Sequence, residues 1–356
     1  MRMILAAGIA LTLAGNLAAQ DAAQSFTVGT AIAKRGETAY GELHVTAGVD
    51  SGYNISVAVI HGVKAGKVVA FVAGAHGTEY TSSVALTRLI AKIDATKLTG
   101  TVIVVPLVNV ASFEQMTVHV NPIDRKGMNN GFPGARDGTQ SQRGVAAIAE
   151  QVVAQADIIV DLHGGDIDED LRPYTYWTRI GDAAKDAEMK KMVMAFGIDH
   201  VILRDADVTN AGRTLGGYAL GIGKESIVAE AGRSGVVLPA DINTLVNGSL
   251  NVLGSLGMIA RAVTPVATPV YITAGTRVAA DKVGMWYPTV LRDTRVKKGQ
   301  VVGYTTDYVG RKTGEVKSPV DGLVTFIRTV PSMPLRATLI NVSEYVPLKP
   351  WVKPGS

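Results

Sequence analysis

The segment Gly74-Ala75-His76-Gly77-Thr78-Glu79 closes an apolar run, Val68-Val69-Ala70-Phe71-Val72-Ala73. An imidazole and a carboxylate three residues apart can face one point in space, and the flanking glycines allow the tight turn that brings them there. Mixed nitrogen and oxygen donors suit a divalent cation, zinc above all. The spacing alone is a weak signal, so its weight depends on a third ligand and a base. Ile158-Ile159-Val160-Asp161-Leu162-His163-Gly164-Gly165 offers the ligand, a histidine ending an apolar strand. Strand alternation puts Asp161 on the face of His163, where it would support the imidazole or cap the neighbouring turn. A strand-end histidine taken singly is more often a satisfied polar residue; the setting it shares with His76 favours the ligand reading. Two histidines and a glutamate leave the fourth zinc position to water, the arrangement of catalytic sites. Ser226-Ile227-Val228-Ala229-Glu230-Ala231-Gly232 then places Glu230 at the end of another apolar strand, as a base for that water or, more plainly, as a strand-end residue facing solvent. His44, His61, His119 and His200 lack a comparable setting and read as surface or structural residues.

The elements that must position these side chains alternate along the chain. Strand-like runs fall at Asn54–Val59, Val68–Ala73, Val102–Leu107, Ile158–Leu162, Tyr174–Thr178, Val201–Leu203 and Ser226–Ala229. Several are continuously apolar, as expected of strands buried on both faces. Helical periodicity covers Ser82–Ile93, Gln142–Ala154, Ala184–Phe196 and Ile242–Ala262. The alternation predicts an α/β domain over 25–263, a mixed central sheet flanked by helices, with ligands bound beyond strand ends. At Thr264 the texture changes to short Val/Tyr/Thr-rich runs punctuated by Pro and Gly. This predicts a separate all-β module over 264–356. Lys298-Gly299-Gln300-Val301-Val302-Gly303 and Ser318-Pro319-Val320-Asp321-Gly322-Leu323-Val324 resemble strands of a biotinyl/lipoyl-type barrel-sandwich. No lysine at a hairpin tip between small or apolar residues suggests a carrier, so a scaffold or cap role is expected.

Arg2, the apolar stretch Met3–Leu17 and the small residues Ala18-Ala19 have the layout of a secretory signal peptide over 1–19. The stretch is shorter than the roughly 20 residues a membrane span needs, so stable insertion is not expected. The chain has no cysteine, which excludes a thiol nucleophile and suits an exported, periplasmic or secreted protein folding without disulfides. A formal charge of +4, with no basic run interleaved with aromatics, gives no nucleic-acid footprint.

Four ordered motifs, Gly-x-His-Gly-x-Glu, Asn-x-x-Phe-Pro-Gly, Asp-Leu-His-Gly and Glu-x-Gly, resemble the succinylglutamate desuccinylase/aspartoacylase family within the zinc carboxypeptidase clan. The resemblance implies one zinc per chain held by His76, Glu79 and His163, Glu230 as general acid/base, and Asn129 in the substrate pocket. It implies hydrolysis of an amide in a small acyl-amino-acid or peptide-like substrate. Two departures qualify it. The family's middle motif has Arg where this chain has Asn130, itself kept as a candidate substrate contact, and Ser112–Ile123 holds no upstream arginine, so a substrate carboxylate loses its usual partners. Arg125 is a candidate replacement, with a solvated loop residue as the plain alternative, and Arg213 and Arg233 are further candidates for substrate contact. The second departure is an acidic loop after His163, Asp166, Asp168, Glu169 and Asp170, relieved by Arg172. It reads as a solvated turn, or, at the pocket mouth, as a barrier to anions. Both departures predict a substrate without a strictly required α-carboxylate. Open alternatives are a carboxypeptidase-like enzyme on peptides or cell-wall fragments, an ester-cleaving deacetylase, and a noncatalytic zinc-binding protein.

Overall fold

A computed structural model describes residues 24–208 and 212–355, so the expected leader over 1–19 lies outside the described residues. The core is a nine-stranded mixed sheet, ordered Val270–Ile272, His200–Asp205, Tyr174–Arg179, Glu225–Glu230, Ile158–His163, Lys64–Ala73, Thr99–Val105, Tyr53–His61, Glu37–Val45. Ile158–His163 lies between Lys64–Ala73 and Glu225–Glu230, parallel to both. These are among the strands whose sequences are continuously apolar, because both faces of the sheet are covered there. Helices Tyr80–Ile90, Ala183–Phe196 and Pro239–Ser255 pack one face. The other is covered by Gln140–Ile148 with its π-helical extension Ala149–Val153, by Leu215–Gly221, and by the hairpin of Ser25–Val28 and Ala31–Lys34.

Local signals set the helix ends. Asp182 accepts hydrogen bonds from the backbone of Ala184 and Lys185 and so starts one helix, which Gly197 stops at φ 94°. Pro239 opens the last helix, which ends at Ser255 rather than near Ala262. Gly257 adopts φ 71°, and Met258 turns inward to be buried, its carbonyl accepting from Thr99 N at 2.9 Å. The apolar periodicity beyond Ser255 therefore records packing, not helix. Glu37–Val45 has no counterpart among the expected strands, because as an edge strand it is partly exposed and carries no continuous apolar run. Among the described residues no helix is long and apolar enough to cross a membrane.

Two antiparallel sheets follow in the C-terminal region. One is ordered Thr276–Ala279, Thr338–Ser343, Gly322–Arg328, Arg295–Val296, and the other Lys312–Lys317, Val301–Thr306, Gly284–Pro288, Ser332–Met333. Val296, Val302, Val324, Ile327, Ile340 and Val342 form the core of this module. The change of texture at Thr264 does not coincide with the change of sheet. Val270–Ile272 extends the central sheet beside His200–Asp205, and Glu169–Leu171 pairs with Gly322–Arg328 of the module. The two parts exchange strands across the boundary expected from sequence.

That exchange explains the acidic loop, which is neither a solvated turn nor a charged rim. Asp166 and Asp168 are buried. Asp168 pairs with Arg328, while its carbonyl accepts from Thr329 N at 2.9 Å, and Asp170 faces Arg292 at 3.3 Å. The loop after His163 is thus the fastening between sheet and module. Breaking a buried pair from one side leaves the other charge unpaired, at a cost of about 3 kcal/mol. Arg328→Met should accordingly lower the urea midpoint; an unchanged midpoint would remove the fastening role.

Candidate active site

Each chemically active residue stands where a strand ends. After Ala73 the chain turns through Gly74 at φ 72° and runs against the Leu107–Phe113 backbone, where a Cβ on Gly77 would lie 2.4 Å from Phe113 N and 2.6 Å from Asn109 O. Asn109 secures this turn, its N donating to Gly74 O at 2.8 Å and its side-chain amide to Ala75 O at 3.3 Å. Glu79 N reaches back to His76 O at 3.3 Å, and the helix Tyr80–Ile90 starts at once. The two glycines are required by this close approach, which presents His76 and Glu79 on one side.

The strand register brings the rest. Glu230 pairs with both His163 and Tyr174, and Val228 with Asp161 and Tyr176. Cross-strand partners point to the same face, so Asp161, His163, Glu230, Tyr174 and Tyr176 share one surface. The donor atoms of His76, Glu79 and His163 lie within 4.8 Å of one another. Glu79 Oε2 is 2.9 Å from His163 Nδ1 and accepts from Gly164 N at 3.0 Å. Of the other ring nitrogens, His163 Nε2 faces Asp161 Oδ1 at 3.3 Å, and His76 Nε2 lies 3.3 Å from the Asn129 side-chain amide, whose oxygen must face it for Nδ1 to be the unprotonated donor. His76 Nδ1 is buried without a hydrogen-bond partner among the described residues. A buried, partnerless imidazole nitrogen beside a carboxylate and a second imidazole is the donor set expected of a zinc site. Asp161 has the place of the outer carboxylate that orients a metal-bound histidine.

The electrostatics agree with that reading. Burial lowers the pKa of His76, more than Glu79 raises it, so its imidazole stays neutral, the form that binds metal. His163 is pushed well above the usual range: burial opposes its charge, but Asp161 and Glu79 hold the proton. Two carboxylates that hold a proton there would equally favour a cation. Glu79 itself is lowered; burial acts against this, and the imidazoles of His163 and His76 outweigh it. Burial pushes Glu230 well up, and its Oε2 is buried without a partner among the described residues. A carboxyl so placed is poised to take and return a proton.

A cleft of ≈ 380 Å³ opens beside this cluster, with Asp161, His163, Tyr176, Val228 and Glu230 along the sheet, Asn129 and Asn130 on one wall, and Thr178, Arg204 and Thr214 farther out. Of the five expected substrate contacts, Asn129 and Asn130 line it, while Arg125, Arg213 and Arg233 do not. Arg125 is exposed, at φ 60°, in a turn closed by its N bonding to Asn121 O at 2.8 Å. Arg213 clips the Phe132 backbone, accepting from Phe132 N at 3.0 Å and donating through Nε to Phe132 O at 3.4 Å. Arg233 is exposed and bridges the Asp170 backbone beside the module. His119, expected to be a plain surface or structural residue, sits edge-on to His76 with ring centroids 5.3 Å apart. Its nitrogens face Asp166 and Glu169, each at 3.3 Å. Although burial works against its charge, Glu169 and Asp166 push its imidazole up to about 9. No local signal marks His119, because its acidic partners lie some fifty residues away in the loop after His163. No local signal marks Tyr176 or Arg204 either: Tyr176 reaches the site through its register with Val228, and Arg204 by stacking on the Tyr176 ring, both tertiary relations.

Residues 65–256 match the succinylglutamate desuccinylase/aspartoacylase catalytic domain, and the chain belongs to that family of deacylating hydrolases. Over 285 residues it is 25% identical to the Nα-acetyl-L-2,4-diaminobutyric acid deacetylase of Halomonas elongata, spanning 77% of this chain and 81% of that protein. Its fold is similar to a succinylglutamate desuccinylase of a Silicibacter species, at TM-score 0.78 and 21% identity, over 87% of this chain and 95% of the other. It is also similar to the product-bound ectoine utilization protein EutE (DoeB) of Ruegeria pomeroyi, at TM-score 0.76 and 22% identity, over 86% and 94%.

The support behind His163 can be tested directly. Asp161→Asn keeps the shape but removes the charge that orients the imidazole, and outer partners of this type are worth about 10–100-fold in metal affinity. Zinc titration against a competing chelator should show that loss; unchanged affinity would reduce Asp161 to a turn residue.

Proposed function

We propose that this chain is an exported, zinc-dependent hydrolase that releases the acyl group from an N-acyl amino acid. The observation that carries the reading is the convergence of His76, Glu79 and His163 beside the unpartnered Glu230 carboxylate at the head of one cleft. Family membership supports deacylation, and the diaminobutyrate-derivative deacetylase supports a small N-acyl amino acid as substrate.

Zinc, when bound, supplies a Lewis acid that polarises the scissile carbonyl and makes a bound water acidic. His76, Glu79 and His163 would hold it, with Asp161 and the Asn129 amide fixing the two rings. Glu230 takes a proton from the attacking water and returns it to the departing amine as the carbon–nitrogen bond breaks. Tyr176, whose phenol burial keeps protonated, provides a neutral donor along the same wall, with Tyr174 packed edge-on against it.

The test is turnover of a panel of N-acetyl and N-succinyl amino acids by purified protein, before and after dialysis against a chelator, with zinc added back. Chelator-sensitive release restored by zinc is expected, and hydrolysis indifferent to chelation would overturn the zinc assignment. Export rests on Arg2, the apolar Met3–Leu17 and Ala18-Ala19. The mature protein should begin just after Ala19; an intact amino terminus by mass spectrometry would refute removal of a leader.

A further inference from the structure

We infer that Arg204 is the cation that recognises a substrate carboxylate, replacing from a different strand the arginine that Asn130 displaces; this rests on the deacylase reading above. Arg204 lies near the end of His200–Asp205, in register with Thr178 of the neighbouring strand. Its side chain turns back along the cleft, with the guanidinium carbon 4.4 Å from the centroid of the Tyr176 ring. Tyr176 in turn stands in register with Val228, two residues before Glu230. The cleft therefore runs from the metal ligands and Glu230 past Tyr176 to a guanidinium.

Among the described residues Arg204 is the one arginine lining that cleft, and no carboxylate pairs with it. The nearest acid in sequence, Asp205, also lines the cleft but is engaged by Arg179 through bonds of 2.7 and 2.9 Å. Of the other acids in the lining, Asp161 holds His163 and Glu230 is committed to proton transfer. Stacking on the tyrosine face fixes the guanidinium plane while leaving its edge donors unused. A planar fork of N–H donors with no acid partner is complementary to a carboxylate, which it can bind bidentately. Thr178 and Thr214 border the same stretch; Thr214 Oγ1 accepts from Gly217 N at 3.0 Å, so its hydroxyl proton is not used in that bond. The recognised group is a carboxylate borne by the substrate on the side remote from the metal ligands.

Two isosteric pairs read out the effect: N-acetyl-L-glutamate against N-acetyl-L-glutamine, and N-acetyl-L-glutamine against its α-amide. Wild type should favour the carboxylate in at least one pair. In Arg204→Gln that preference in kcat/KM should collapse about 10–100-fold, mainly through KM, as expected for loss of a charge-assisted contact. Arg204→Lys should recover part of it, because a point charge lacks the fork. Equal preference ratios in wild type and Arg204→Gln would overturn the assignment. A binding measurement separates this from the deacylase reading. In a Glu230→Gln background, calorimetry with N-acetyl-L-glutamate should give a Kd at least about tenfold weaker when Arg204→Gln is added. Unchanged or absent binding overturns the role of Arg204, whereas intact Arg204-dependent binding with no wild-type turnover of any of these substrates overturns the deacylase reading alone.

Discussion

Glu230→Gln is expected to retain zinc and lose turnover, with kcat lower by about 10²–10⁴-fold, the range general acid–base groups supply. The substitution keeps the volume and the strand-end geometry set by pairing with His163 and Tyr174. It replaces a carboxylate, which can take a proton and return it, by an amide, which cannot. Glu230 is not among the three converging donors, so metal content measured by mass spectrometry should match wild type. The buried, unpartnered Oε2 strengthens the expectation, because a strand-end residue of no chemical use would find a hydrogen bond or face water. A variant with near-normal kcat would sink the general-base assignment while leaving the metal site standing.

The second large effect is expected at His76. His76→Ala removes the donor whose Nδ1 is buried without a partner, and leaves Glu79 and His163 bonded to each other at 2.9 Å. With one of three ligands gone, zinc affinity should fall by more than about 100-fold, since an outer partner alone is worth about 10–100-fold. Activity at trace zinc should vanish with it. Partial recovery at millimolar zinc would match a weakened site. Full zinc content and full activity in the purified variant would instead falsify the ligand set. Stability should change little, because His76 lies in a surface-opening turn secured by Asn109 and not in either apolar core.

Much of this site was legible along the chain because its parts are short and local. A buried strand announces itself by a run such as Val68–Ala73, and the residue after it is delivered to the carboxyl end of the sheet whatever the rest of the chain does. Gly74 and Gly77 mark a tight approach that other side chains would block. His76 with Glu79, then His163, then Glu230 could therefore be nominated from three separate segments. Asp161 followed from alternation alone. The edge strand Glu37–Val45 was not legible, because a partly exposed strand needs no apolar run.

Relations between segments had to wait for tertiary structure. The acidic loop looks solvated in one dimension because its cations, Arg292 and Arg328, lie more than a hundred residues downstream. The expected substrate contacts Arg125, Arg213 and Arg233 stand close in sequence to the site motifs. The cleft selects by closeness across the sheet, where Arg204 stands beside Tyr176.

The candidate groups, two imidazoles and two carboxylates at the ends of three strands, could be read from the chain alone, because strand periodicity and glycine turns are local properties. What those groups face is a property of the folded chain. Strand order and register set which side chains become neighbours, and so which cation, loop and tyrosines border the cleft.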